Sequence, residues 1–296
     1  MRPFAFHTLD VFTTRRFAGN PLAVVLKADG LDGGAMQALA REFNLSETIF
    51  VRAPDEAGHE ASVRIFTPGG ELPFAGHPIV GCAILLAERH WPRGPIDEVL
   101  VLKTPAGPVP VRIHRAGGAP EATLTVPIVP TPRGEPLDSA TIAHAVGLGT
   151  DDVLAGHPVA VHEGGPRFTY LPLRSLDALA RARAPVPGAL ESLGAAQSIY
   201  CYAPGEEACD WRARMFAPDA GIPEDAATGS ASAILASQLL AAGALAEGTT
   251  TLALRQGVEM GRPSEIRVEV DVEGGSLRAV RVTGSAVRVS DGQVFV

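Results

Sequence analysis

Lysine is almost missing from this chain. Lys27 and Lys103 are the only two. Neither lies in a glycine-rich turn, which argues against a Schiff-base lysine. Cysteine is scarce too, with Cys82, Cys201 and Cys209 alone. An odd number without a Cys-x-x-Cys pair argues against both a disulfide framework and a zinc site. The three read as small core or surface residues. Aromatic residues make up 5% of the chain, so the core falls to Ala, Val, Leu and Ile. No apolar run reaches the roughly 18 residues that a membrane-spanning helix needs. The stretch from Met1 to His7 lacks the apolar centre of a signal peptide. A cytoplasmic protein without a membrane partner is expected. The net charge of −8 speaks against nucleic acid, because phosphate binding needs a basic face. Cofactor and hydrolase signatures are absent: no Gly-x-Gly-x-x-Gly after a strand, no Walker loop, no His-Glu-x-x-His, no Gly-x-Ser-x-Gly. An acid/base site with no cofactor and no metal fits what remains.

What is present is a repeat. Arg64-Ile65-Phe66-Thr67-Pro68 leads through a Gly/Pro-rich turn to Gly76-His77 and the apolar run Val80 to Glu88. Arg214-Met215-Phe216-Ala217-Pro218 leads through Asp219 to Thr228 to Gly229-Ser230 and a second Ala-rich run. Each copy reads as a strand feeding a helix through a polar turn. The unpaired N–H groups of a helix start, at the positive end of its dipole, make such a turn a candidate anion site. The bland alternative is two unrelated helix starts with glycine for packing.

With 296 residues the chain has room for two domains. The reading is one domain over 1–116, a linker at 116–120, and a second domain over 121–285. The alternating tail from Ala286 to Val296 returns to the first domain. Strands are expected at 4–12, 21–26, 48–51, 99–103, 109–114, 122–126, 198–203, 212–217, 250–255, 266–272 and 277–283. Helices are expected at 33–43, 138–147 and 175–183, besides one long helix in each half. The class is α+β, in two copies.

Three side chains stand out as chemistry. Glu47 precedes the apolar strand Thr48-Ile49-Phe50-Val51. Partial desolvation there would raise its pKa and suit it to proton transfer. The competing reading is a capping box from Asn44 to Glu47, but Thr-Ile-Phe-Val favours strand over helix. His77 follows Gly76 at a helix start, where the dipole disfavours imidazolium; a packed or capping histidine is the ordinary alternative. Asp225 lies in the turn before the second helix. It would hold His77 or a substrate amine there, or merely balance the dipole.

Taken in order, Phe17-Ala18-Gly19-Asn20-Pro21, Asn44-Leu45-Ser46-Glu47-Thr48, Leu72-Pro73-Phe74-Ala75-Gly76-His77-Pro78, Arg214 to Pro218, Glu224 to Ala231, and Gln256-Gly257 with Gly261-Arg262-Pro263-Ser264 resemble the PhzF-like isomerase family of phenazine biosynthesis. The match spans nearly the whole chain. The resemblance implies a diaminopimelate epimerase-like fold: two similar domains, each a curved, mostly antiparallel sheet wrapped around a central helix, with the site in the cleft between them. It places the catalytic residues on Glu47, His77 and Asp225. The substrate-binding positions are Gly76, Gly229 and Ser230, with Asn20 and Ser46 counted beside them. It also implies a homodimer, a small carboxylate substrate, and an isomerase that transfers a proton through Glu47 without a cofactor. Related epimerases and racemases carry a thiol in each turn. Here Ala75 stands at the first, Ala227 or Thr228 stands near the second, and Cys82 lies inside the helix. An epimerase without the thiol pair, or a non-catalytic binder on the same fold, are the alternatives. The Gln256 to Ser264 motif has no role that the sequence assigns.

Overall fold

The computed structural model describes residues 2–206 and 208–296. The chain divides into two units, the first formed by residues 1–125 and 283–296 and the second by 126–282.

The first unit comprises β1 (Pro3–Val11), β2 (Asn20–Val25), α1 (Gly33–Phe43), β3 (Glu47–Arg52), β4 (Ala61–Phe66), β5 (Glu71–Leu72), α2 (Gly76–His90), β6 (Ile96–Thr104), β7 (Gly107–Arg115) and β8 (Glu121–Thr125). β1 pairs antiparallel with β2, which runs parallel to β3 with Leu22 opposite Glu47. A parallel pair needs a crossover, and α1 supplies it. β3 returns antiparallel to β4. β4 then runs parallel to β6, with α2 as the crossover, and β6, β7 and β8 form an antiparallel meander.

The sequence of α2 is apolar on all sides, so the helix must be enclosed. Every residue from His77 to Ala87 is buried, and α2 packs on β1, β2, β3, β6, β7 and β8. Gly81 permits the closest approach. A Cβ there would stand 2.7 Å from both Leu22 Cδ2 and Val11 Cγ2.

The second unit comprises β9 (Thr131–Arg133), α3 (Ser139–Ala145), β10 (Ala160–Glu163), β11 (Arg167–Pro172), α4 (Leu176–Arg181), α5 (Ala189–Ser192), β12 (Ile199–Pro204), β13 (Trp211–Ala217), β14 (Ile222–Asp225), α6 (Gly229–Ala241), β15 (Gly248–Gln256), β16 (Ser264–Glu273) and the start of β17 (Ser276–Phe295). Its pairing repeats that of the first unit. β10–β11 is antiparallel, β11–β12 parallel, β12–β13 antiparallel, β13–β15 parallel across α6, and β15–β16 antiparallel. α6 is enclosed like α2, with nearly every residue from Gly229 to Leu239 buried. The duplicated motif is thus a duplicated strand–turn–helix within a duplicated sheet.

The boundary between the units falls at 125/126, not in the 116–120 stretch. Glu121–Thr125 is hydrogen-bonded to Gly107–Arg115 and closes the first sheet, so Ala116–Pro120 is a hairpin turn. The return also starts earlier, at Thr283, whose hydroxyl bonds that of Thr123 at 2.7 Å. From Ala286 to Phe295, β17 pairs with β1.

Candidate active site

Three segments of the first unit converge on one spot. The loop before β2 is held by Asp10, whose Oδ2 accepts the Phe17 N–H at 2.6 Å. Gly19, at φ +68°, turns the chain so that Asn20 enters β2 fully buried. α1 ends on Asn44, which sits in the left-handed region at φ 51° and donates its N–H to the Ala40 carbonyl. Asn44 therefore closes one helix and opens none, which disposes of the capping-box reading. Ser46 and Glu47 follow directly into β3. The third segment is the start of α2 at Gly76 and His77.

There His77 Nδ1 stands 3.2 Å from Glu47 Oε2, with side-chain exposures of 4% and 13%. Burial pushes the His77 pKa down to about 3, against a weaker pull from a hydrogen bond to the Pro21 backbone carbonyl. The ring is thus neutral at physiological pH, as the helix start suggested, but desolvation is the main cause. A neutral imidazole against a carboxylate can orient it or exchange a proton with it. The helix start itself carries no side-chain cap: Ala75 is the N-cap, and no acidic residue occupies the first turn. Ala75 therefore offers no side-chain acceptor to the first N–H groups of α2.

In the second unit α6 begins the same way. Its N-cap is Thr228, with no side-chain cap and no acid in the first turn. Gly229 is buried and Ser230 half-buried. Asp225 ends β14, 6% exposed, and its Oδ2 accepts the Thr228 hydroxyl at 2.6 Å. The Gln256 to Ser264 motif, which sequence reasoning could place but not interpret, braces this turn. Gln256 Nε2 donates to the Asp225 carbonyl at 2.8 Å, and its Oε1 accepts the Thr228 N–H at 3.1 Å. Ser264 Oγ donates to the Ala226 carbonyl at 2.9 Å. Gly257, at φ +75°, lies where a Cβ would come within 2.6 Å of the Ala226 and Arg262 carbonyls.

The arginines of the repeat also acquire a role. Arg64 grips Glu71 with two hydrogen bonds of 2.7 Å, and Arg214 grips Glu224 with two of 2.8 Å. Each guanidinium lies over the phenylalanine two residues on, at 5.1 Å for Phe66 and 4.9 Å for Phe216. Each clamp ties its strand to the turn that leads into the buried helix. The signal was the shared Arg-x-Phe; the glutamate partner follows at different distances in the two copies and so escaped notice.

The thiols are placed away from such chemistry. Cys82 lies inside α2, fully buried, and burial drives its pKa well above the ordinary thiol range. Burial pushes Cys201 up to about 12 and raises Cys209 too. One cluster, Asp55, Glu56 and His59, brings possible ligand atoms within 4.8 Å of one another. It is largely exposed, and Ser62 and Lys103 already bond its two carboxylates. Tyr170, Tyr200 and Tyr202 are core residues, their hydroxyls bonded to Ala231, Ser232 and Gln238.

Known proteins are similar to this chain in sequence and in fold. The family model described as phenazine biosynthesis-like protein matches residues 9–292. An uncharacterized isomerase of Mesorhizobium japonicum is 42% identical over 295 residues, covering 97% of each chain. The trans-2,3-dihydro-3-hydroxyanthranilate isomerase of Pseudomonas aeruginosa is 37% identical over 295 residues, 97% of this chain and 98% of that one. A crystal structure of a PhzF-family phenazine biosynthesis protein from Bacillus anthracis superposes with a TM-score of 0.89 at 27% identity, over 100% of both chains. The chain belongs to the PhzF family of phenazine biosynthesis-like proteins and is an isomerase.

Proposed function

We propose that this isomerase moves a proton within a small carboxylate substrate, with Glu47 as the general acid and base and no cofactor. The observation that carries this reading is the contact of the buried His77 with the partly buried Glu47, beside an α2 start whose N-cap residue is Ala75. Glu47 takes a proton from an activated carbon and returns it elsewhere on the same conjugated skeleton. His77, neutral, orients that carboxylate and helps move the proton. Gly76, Gly229 and Ser230 offer backbone N–H groups and a hydroxyl to the substrate carboxylate, with further contacts from Asn20 and Ser46. Asp225 accepts a hydrogen bond from the substrate. The same reading includes a cytoplasmic homodimer.

An epimerase that works through a thiol pair is disfavoured by Ala75 at the first helix start and by the buried, unactivated Cys82. The test is solvent-deuterium incorporation, followed by mass spectrometry. The panel holds trans-2,3-dihydro-3-hydroxyanthranilate, diaminopimelate, proline and simple amino acids. Exchange in one compound, lost by roughly 10²–10⁴-fold in Glu47→Gln, is the expected result. Undiminished exchange in Glu47→Gln would overturn the mechanism. Binding without exchange would point to a non-catalytic binder.

A further inference from the structure

We infer that Gln256 and Thr228 are positioning residues that lock Asp225 as an ionised hydrogen-bond acceptor. The argument begins at the backbone, where hydrogen-bond roles are not negotiable. The Thr228 N–H can only donate, and it points at Gln256 Oε1, 3.1 Å away. The Asp225 carbonyl can only accept, and it faces Gln256 Nε2 at 2.8 Å. These two contacts fix which end of the amide is oxygen and which is nitrogen, an assignment usually left ambiguous. The second N–H of the same Nε2 lies 3.0 Å from Thr228 Oγ1. That hydroxyl therefore receives a proton from Gln256 and must send its own elsewhere. Asp225 Oδ2 is 2.6 Å away and takes it. Oδ2, accepting a hydroxyl proton at that distance, carries none of its own, so a proton could sit only on Oδ1; a hydrogen bond to the charged form shifts the balance towards ionisation.

The arrangement is sealed. Gln256 is fully buried, and Asp225 and Thr228 nearly so. Ser264 and Gly257 hold the intervening Ala226 from the other side. A titratable group on a neighbouring strand that feels the Asp225 charge is Tyr200 of β12, which burial keeps protonated. Resting on the isomerase reading above, this divides the acid/base roles. Asp225 presents a fixed negative charge to a donor on the substrate, and proton carriage stays with Glu47. In this respect the Gln256–Gly257 and Gly261–Ser264 motif serves the site without touching substrate.

The test is a carboxyl titration by carbon-13 NMR of the full chain, with Asp225 assigned through Asp225→Asn. In the wild-type protein the Asp225 carboxyl should remain ionised to below the usual carboxylate range. Thr228→Val, which keeps the shape and removes the hydroxyl, should raise its midpoint by about one pH unit. Thr228→Ser should restore it, and Gln256→Met should raise it without adding to Thr228→Val. On any substrate turned over, the acidic limb of kcat/KM should move with that midpoint. A protonated Asp225 at neutral pH in the wild-type protein would overturn the inference whether or not the Thr228 and Gln256 variants fold. So would an unchanged midpoint in a folded Thr228→Val. The titration needs no substrate, so a chain that turns over nothing would sink the isomerase mechanism and leave this inference standing.

Discussion

His77 Nδ1 and Glu47 Oε2 are separated by 3.2 Å, across a helix start and a strand start that lie 30 residues apart in sequence. The register of β2 against β3 sets Leu22 opposite Glu47, and the Pro21 carbonyl bonds the His77 ring. One short segment thus touches both members of the pair.

The depressed pKa of His77 has a consequence for stability. Its folded-state value is about 3, against roughly 6.5 for an unfolded histidine. Between these values the unfolded chain binds the proton and the folded chain does not, so stability rises with pH through that window and is fully present above it. His162, pushed down to about 4 by burial, acts in the same sense. Urea midpoints measured from pH 4.5 to 7 should therefore climb. In His77→Gln the climb should be shallower by up to one proton. An equal slope in both proteins would show that His77 is not buried and neutral.

The two arginine clamps should differ in strength. Arg214 and Glu224 have side-chain exposures of 10% and 17%, and Arg214 also donates to the carbonyls of Leu179, Ala180 and Ala182. Removing it strands a carboxylate and several carbonyls. Arg214→Ala should cost about 3–5 kcal/mol. Arg64 and Glu71 are more open, at 27% and 33%, and solvent screening should hold Arg64→Ala to about 1 kcal/mol or less. Chemical denaturation of the two variants decides the matter. Equal losses would refute the ranking.

Gly257 should tolerate no side chain. Its φ of +75° disfavours one, and the atoms in the way are backbone carbonyls that cannot swing aside. Gly261 has a similar φ of +70° but open space around its Cβ position. Gly261→Ala should cost about 1 kcal/mol, and Gly257→Ala clearly more, with disturbed amide signals from Asp225 to Thr228. The comparison separates collision from backbone preference.

Much of the fold was legible because it rests on local pattern. The helix read at 33–43 coincides with α1, since Asp32 caps it and Asn44 ends it. The two buried helices announced themselves by their apolar runs and by the repeat. β9, β10 and β11 did not. Thr131–Arg133 is wholly exposed, and Ala160–Glu163 is four residues long, too short for alternation to register. Their pairing is tertiary. At the site, Glu47 and His77 were visible singly, but their contact depends on a crossover and a parallel register that no local signal encodes. Gln256 was visible only as part of a motif, because its partners lie 28 and 31 residues away.

The strand pairing of β1 with β17 sets an order of events. Pro3 lies opposite Phe295 and Val11 opposite Ala286. On a ribosome, β1 emerges early with one edge already matched to β2 and the other left open until residues 286–295 appear. The unit made first is therefore closed last, and it waits with an exposed strand edge while the second unit is synthesised. Shortening the chain by a dozen residues at its far end would injure the unit that began it.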